Sequence, residues 1–250
     1  MQNALFQYLL RLGDTNLILS HRLAELCSRG PFLEEDIALT NIALDHIGQA
    51  EALLKYASEV EGRSRTEDDL AYLRNETDFR NCLLVEQPNT DFAYVIVRQF
   101  FIDVWQGLLY NALKNSKDET LAAMATRFAK ETAYHYRHSG SWMVRLGQGT
   151  DESRARLERA FRDLWHYTGE LFETDATEEK LSAAGIVPTS DALYPEWIAQ
   201  INRVAGEAGL RLPATDYMAS GGRVGMHTEH LGHLLAEMQY LQRAYPGAKW

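Results

Sequence analysis

Residues 3–28 read NALFQYLLRLGDTNLILSHRLAELCS. Leucines fall at Leu5, Leu9, Leu12, Leu19, Leu23 and Leu26, and Asn16 fills the one remaining place in that series. Steps of three and four residues keep one stripe of an α-helix facing one way, so the pattern predicts a long amphipathic helix with a single polar residue in its apolar seam. Such a stripe needs partners, and three more segments have helical periodicity. One covers residues 33–61, apolar on most sides and interrupted by Asp45 and His46. The next covers 90–115, with Asp103 inside FFIDVW. The last covers 117–146, with a seam of Leu121, Ala125, Phe128, Thr132, His135, Ser139, Trp142 and Leu146. Gly30-Pro31, the polar stretch 62–69, Pro88-Asn89, residues 115–117 and residues 147–150 break the pattern between them. Four long helices with short connections predict an all-α four-helix bundle.

Further helices are expected over 152–172, 191–209 and 228–245, separated by a mixed segment at 173–190 and by residues 212–225. Gly221-Gly222 and Gly225 give a flexible entry to the last, where Thr228 is the expected N-cap and Glu229 suits the first turn. No shift in composition marks a second domain. The expectation is one domain over 1–250, with a core bundle at about 3–147 and a C-terminal helical extension at about 150–250.

The chain has 250 residues, 46% of them hydrophobic, and a formal net charge of −10, which fits a globular domain with a sizeable core. Its acidic balance argues against sequence-independent nucleic-acid binding, and an anionic ligand would need a local basic pocket. Cys27 and Cys82 form no Cys-x-x-Cys pair and are expected to be reduced, partly buried thiols. No basic leader region opens the sequence, and no apolar run approaches the roughly 18 residues of a membrane span, so a cytoplasmic protein with no membrane partner is expected.

Polar residues inside the bundle helices are the first candidate site. Burying them costs free energy unless they are paired. A bundle that holds two irons supplies a carboxylate from each of two helices and Glu-x-x-His from each of the other two. Here the fourth helix has Thr132-x-x-His135, the second has Asp45-x-x-Gly48, and the first offers Asn16 where a carboxylate is wanted. Only Asp45, Asp103 and His135 remain as ligands, which predicts a metal-free, hydrogen-bonded remnant with Asp45–His135 and Asp103–His135 as candidate pairs. A self-contained di-iron oxygenase using those three stays open as an alternative. So does a mononuclear metal on His230, His233 and Glu237, which share a helix face after His227. Asp163-x-x-His166 falls on a face shared with Arg156, Arg159, Glu170 and Glu173, which predicts a solvated face rather than a metal site.

Four stretches carry a family resemblance: EEDIALTNIALDHIGQA at 34–50, LLVEQPN at 83–89, RQFFID at 98–103 and HTEHLGHLLAEMQYLQR at 227–243. Through them the chain resembles the structural, non-catalytic subunit of bacterial ring 1,2-phenylacetyl-CoA epoxidases, multicomponent monooxygenases of phenylacetate degradation. The resemblance implies a ferritin-like fold, no catalytic residue and no cofactor of its own. It implies as partners a catalytic sister subunit holding the di-iron centre, the other epoxidase subunits and a reductase. It also implies contacts to the CoA thioester, which would fall on Asp78, Phe79, Arg80 and Asn81 and on Glu179, Lys180 and Leu181. Arg80 and Lys180 could meet CoA phosphates.

Overall fold

The computed structural model describes residues 1–248, so the last two positions of the expected extension, 249–250, lie outside the described residues. The leucine series forms α1, Gln2–Ala24, and Leu9, Leu12, Asn16, Leu19 and Leu23 are all buried along it. Leu26 falls beyond the helix end and is half-buried. Helix α2, Leu33–Glu61, has the expected bounds and stops on Gly62, whose φ of 69° is left-handed. The polar stretch that follows is not wholly a break, because α3, Glu67–Tyr72, starts inside it. Its signal is local: the Thr66 hydroxyl accepts from Asp69 N–H, and the Asp69 carboxylate accepts from Thr66 N–H.

Side-chain caps also start α4, Phe92–Leu113, and α5, Glu119–Gly147: Asp91 accepts from Tyr94 N–H, and Asp118 from Leu121 N–H. Helix α6, Asp151–Trp165, ends seven residues before the expected 172. There Thr168 Oγ1 donates to the Trp165 carbonyl at 2.7 Å, and the chain turns into a short 3₁₀ segment, Gly169–Phe172. After α7, Ala176–Ala183, and α8, Tyr194–Glu207, the expected helix over 228–245 is two: α9, Glu229–Met238, and α10, Tyr240–Ala244. Gln239 marks the break, and its amide donates to the carbonyls of Ala71 and Arg74, each at 3.1 Å. Leu231, Leu234 and Leu235 form the buried face of α9, whereas Leu241 and Tyr245, expected in the same seam, are exposed. All regular structure among the described residues is helical.

The chain forms two compact units. Met1–Pro88 joins with the described residues from Ser220 onward, and Asn89–Ala219 forms the other. Residues 147–150, where the sequence marks the end of the core, lie within the second unit.

In the first unit α1 packs along α2, with Leu53 and Leu54 of α2 close against Gly13 and with Leu9, Leu19 and Ile42 buried on the two helices. Through its middle α1 is buried on every side, so its second face carries polar groups that must find partners. Asp14 is clamped by Arg74, with Nη1 on Oδ2 at 3.0 Å and Nη2 on Oδ1, and it also accepts the Arg80 N–H at 2.8 Å. Thr15 Oγ1 accepts the Cys82 N–H at 3.3 Å. Arg74 in turn stacks on Phe79, 4.3 Å from the ring centre. These contacts fasten residues 70–82 to α1.

In the second unit α4 packs against α5, α6 and α8. Phe101 sits among Phe161, Trp165 and Trp197, and Trp197 Nε1–H donates to the Phe101 carbonyl at 3.2 Å. By length and composition α4 could cross a membrane, although the sequence was expected to hold no segment of that kind. Its apolar window is 78% buried within the protein, as in a core helix.

The Arg74–Asp14 pair sets the first prediction. Breaking a buried ion pair from one side leaves an uncompensated charge at a cost of about 3–5 kcal/mol. Arg74→Ala should therefore lower the urea unfolding free energy by about that much, and adding Asp14→Leu should recover part of the loss. An Arg74→Ala variant as stable as the parent would contradict the clamp.

Candidate functional site

A densely bonded group in the first unit is the carboxylate of Glu86, which sits in the short 3₁₀ turn Leu83–Glu86 and is fully buried. Oε1 accepts from Asn81 Nδ2 at 2.8 Å and from His227 Nδ1 at 2.5 Å. Oε2 accepts from the Thr228 backbone N–H at 2.9 Å and from its hydroxyl at 2.7 Å. Four donors fill the carboxylate. The Glu86 main-chain carbonyl takes two more, from Arg22 Nε at 3.0 Å and Nη2 at 2.7 Å.

The second His227 nitrogen, Nε2, faces the Phe79 carbonyl at 3.1 Å. Both partners of this ring are acceptors only, so both nitrogens must donate and the imidazole is the cation. Burial pulls its pKa down, but the hydrogen bond and charge of Glu86, helped by the Phe79 carbonyl, outweigh burial and leave it raised. The segment entering α9 reaches this position through Gly225, at φ 86°, where a Cβ would lie 2.3 Å from the Thr77 carbonyl oxygen. Only glycine allows that approach.

This clasp holds the first set of expected CoA contacts. Phe79 and Asn81 are fully buried and belong to the clasp, Asp78 is exposed, and Arg80 is half-buried. Arg80 Nη1 donates to the carbonyls of Thr77 at 2.7 Å and Phe79 at 2.6 Å. Burial lowers the Arg80 pKa, Asp14 offsets part of that, and Arg74 lowers it further. Arg63, Arg65, Arg74 and Arg80 line one cavity of about 510 Å³, with Glu61 and Asp78 as its acids. This is the local basic pocket that an anion would need in a chain of net charge −10. The second expected set lies on α7, where Leu181 is buried and Glu179 and Lys180 are exposed.

The residues of the expected metal remnant come from two helix pairs, one in each unit. On α1 and α2, Asn16 is fully buried; its amide donates to the Leu12 carbonyl at 2.9 Å, and its Oδ1 accepts from His46 Nδ1–H at 2.8 Å. Asp45 does not take the buried position expected of it. It is half-buried, as is Gly48, and His46 occupies the fully buried site instead. One residue along a helix is a turn of about 100°, enough to exchange a core position for a flank. The helix pattern in α2 is therefore Ala43-x-x-His46, matching Thr132-x-x-His135 in α5: each keeps the histidine and lacks the glutamate.

On α4 and α5, Asp103, Thr132, His135 and Ser139 are all fully buried. Asp103 accepts from Gln99 Nε2 at 2.7 Å and from Ser139 Oγ at 2.6 Å. A carboxylate oxygen of Asp103 and a ring nitrogen of His135 lie within 4.8 Å. Burial raises the Asp103 pKa to about 8, against the opposing pull of Ser139 and Gln99, so at neutral pH the group is mostly protonated. Neither helix pair offers the Glu-x-x-His chemistry of a di-iron site.

His230 is half-buried and His233 and Glu237 are exposed; among the described residues they gather no metal-holding set. Asp163 and His166 are half-buried near the end of α6, but Glu170, expected on the same solvated face, is fully buried because the helix has ended before it. Of the cysteines, Cys82 is buried and Cys27 is exposed. Glu86, Arg22 and the role of His227 escaped sequence reasoning. The available signals were charged residues inside apolar stretches: Arg22 in the α1 run and Glu86 after Leu83, Leu84 and Val85.

A family model described as phenylacetic acid catabolic protein matches residues 1–250. The chain is also similar to one of the subunits of the 1,2-phenylacetyl-CoA epoxidase of Escherichia coli (strain K12). The two are 48% identical over 248 residues, covering 99% of this chain and 100% of that protein.

Two pH responses follow from the buried acids. The folded Asp103 pKa of about 8 lies above the ordinary value of 3.8, so folding retains a proton in between and stability falls as pH rises across that window. Asp103→Asn should flatten that part of the pH dependence and raise the urea midpoint at pH 8 relative to the parent; an unchanged profile would argue against it. The raised His227 pKa contributes stability that is full below its ordinary value of 6.5 and is lost as pH rises through the folded value. In Glu86→Gln, burial acts with less opposition, and the His227 titration followed by NMR should move down relative to the parent.

Proposed function

The chain belongs to the phenylacetic acid catabolic protein family, and from that premise we propose that it is a non-catalytic structural subunit of a cytoplasmic di-iron monooxygenase that epoxidises the ring of phenylacetyl-CoA. The all-α, ferritin-like fold of that family is the frame. The observation that carries the reading is chemical. Both helix pairs keep buried histidines, but the positions three residues before them, where a di-iron bundle carries glutamate, are Ala43 and Thr132. In this reading the iron and the oxygen chemistry belong to a catalytic sister subunit, with electrons supplied by a reductase.

What this chain contributes is surface and position. Helix α2 presents Leu33, Ile37 and Leu44 to solvent at 69%, 52% and 61% exposure, beside Phe32 at 47%. Such an apolar stripe supports permanent burial against a partner, and an obligate interface of this kind covers about 2,000 Å² or more. The arginine cavity beside Arg80 supports a second contribution, contacts to the phosphates of the CoA thioester, with Glu86 and His227 holding residues 79–81 in place. Lys180 on α7 is the other exposed cation proposed for it.

Three measurements test this. The isolated chain, expressed with iron, should hold less than stoichiometric metal; two tightly bound irons per chain would overturn the reading. Ile37→Glu with Leu44→Glu should abolish co-purification with the catalytic sister subunit while the far-ultraviolet circular dichroism stays unchanged. Arg80→Ala should weaken binding of CoA thioester by the assembled complex about tenfold, the loss of one charge-assisted contact.

A further inference from the structure

A second cavity, of about 660 Å³, lies in the Asn89–Ala219 unit, and neither the clasp nor the proposed subunit role uses it. Its size falls within the roughly 300–1,000 Å³ typical of small-molecule pockets. One wall is the C-terminal half of α6, and the other is the segment that follows α8.

That outer wall is pinned at both ends. Leaving α8, Leu210 N–H donates to the Ala205 carbonyl at 2.8 Å, and Gln148 Nε2 donates to the Glu207 carbonyl at 2.9 Å. At the far end, Ala219 N–H donates to the His166 carbonyl at 2.7 Å. Beside it Met218 closes on Gly169, where a Cβ would lie 2.7 Å from the methionine side chain. The cavity is therefore held open between fixed points.

Its lining combines flat aromatic surface with a small excess of positive charge. Phe161 is buried against it, and the rings of His166 and Tyr217 stand 5.9 Å apart at 33°. Burial lowers the His166 pKa, against a smaller opposing effect of Asp163, so this ring is neutral at pH 7. The charged groups are Arg162, Arg211 and Glu158, a net of one positive charge. Arg162 reaches only Asp163, at 3.4 Å, and Arg211 has no hydrogen bond or ion pair among the described residues.

We propose that this cavity binds a small aromatic monocarboxylate, with its ring on His166 and Tyr217 over the apolar floor at Phe161 and its carboxylate on Arg162 and Arg211. Guanidinium groups match a carboxylate's two oxygens, and aromatic walls favour a flat, polarisable body over an aliphatic one. Glu158 limits the excess to one charge, which suits a monoanion and disfavours a phosphate. The site stands independently of any subunit role.

The probe is 1-naphthylacetate, with uncharged 2-(1-naphthyl)ethanol as its control, titrated into the full chain and followed by saturation-transfer NMR. The acid should bind saturably and at least about tenfold more tightly than the alcohol. Arg211→Ala, at an exposed loop position, should weaken the acid about tenfold and leave the alcohol unchanged. Arg156→Ala, exposed on the same helix but outside the cavity, should change neither. Equal binding of acid and alcohol, an unaffected Arg211→Ala variant, or no saturation at millimolar acid would each overturn the proposal.

Discussion

A single carboxylate organises the first unit. Glu86 is wholly inside the protein, where an isolated ionised acid would cost several kcal/mol, and it is tolerable because six donors converge on its side chain and its main-chain carbonyl. Those donors come from α1, from the turn at 81 and from the segment that enters α9. The same cluster sets the charge of His227, since a ring wedged between a carboxylate and a carbonyl has only acceptors to face. Asp14 repeats the arrangement on a smaller scale with Arg74 and Arg80. Together the two acids explain how a segment with little regular structure, residues 70–87, is held against a helix.

The helices were legible because periodicity is a local property. Spacing predicts the bounds of α2 to the residue, and the Leu5–Leu23 series lies on a buried face of α1. What periodicity could not show was that α1 has two buried faces. Asp14, Thr15 and Arg22 look like the solvated side of an amphipathic helix until the loop that covers them is in place. Asp45 and His46 show the same limit at finer scale. Adjacent residues differ by about 100° around the axis, and in a helix apolar on most sides nothing in the pattern says which of the two faces inward. Helices α6 and α9 stop short of where spacing alone would carry them: at α6 the Thr168 hydroxyl turns back onto the nearby Trp165 carbonyl, and at α9 Gln239 makes tertiary hydrogen bonds to Ala71 and Arg74.

The buried polar residues of the two helix pairs are satisfied locally. Asn16 answers His46, and Gln99 and Ser139 answer Asp103. Each group has a neutral partner of complementary hydrogen-bonding type. With Asp103 protonated, the α4–α5 core gains polarity without a full buried charge, which is far less costly than an unpaired carboxylate.

The clasp also bears on the order in which the protein can be made. Glu86 and His227 are separated by 141 positions in the chain, and the Asn89–Ala219 unit lies entirely between them. During synthesis the amino-terminal half of the clasp emerges with a buried-type acid and arginine that have no histidine to meet. The intervening unit has all its own sequence available earlier and can fold first. The amino-terminal unit must wait, partly assembled, until the ribosome has delivered residue 227. A chain stopped between residues 219 and 227 would thus carry one finished unit joined to one that cannot close, a product suited to recognition by quality control.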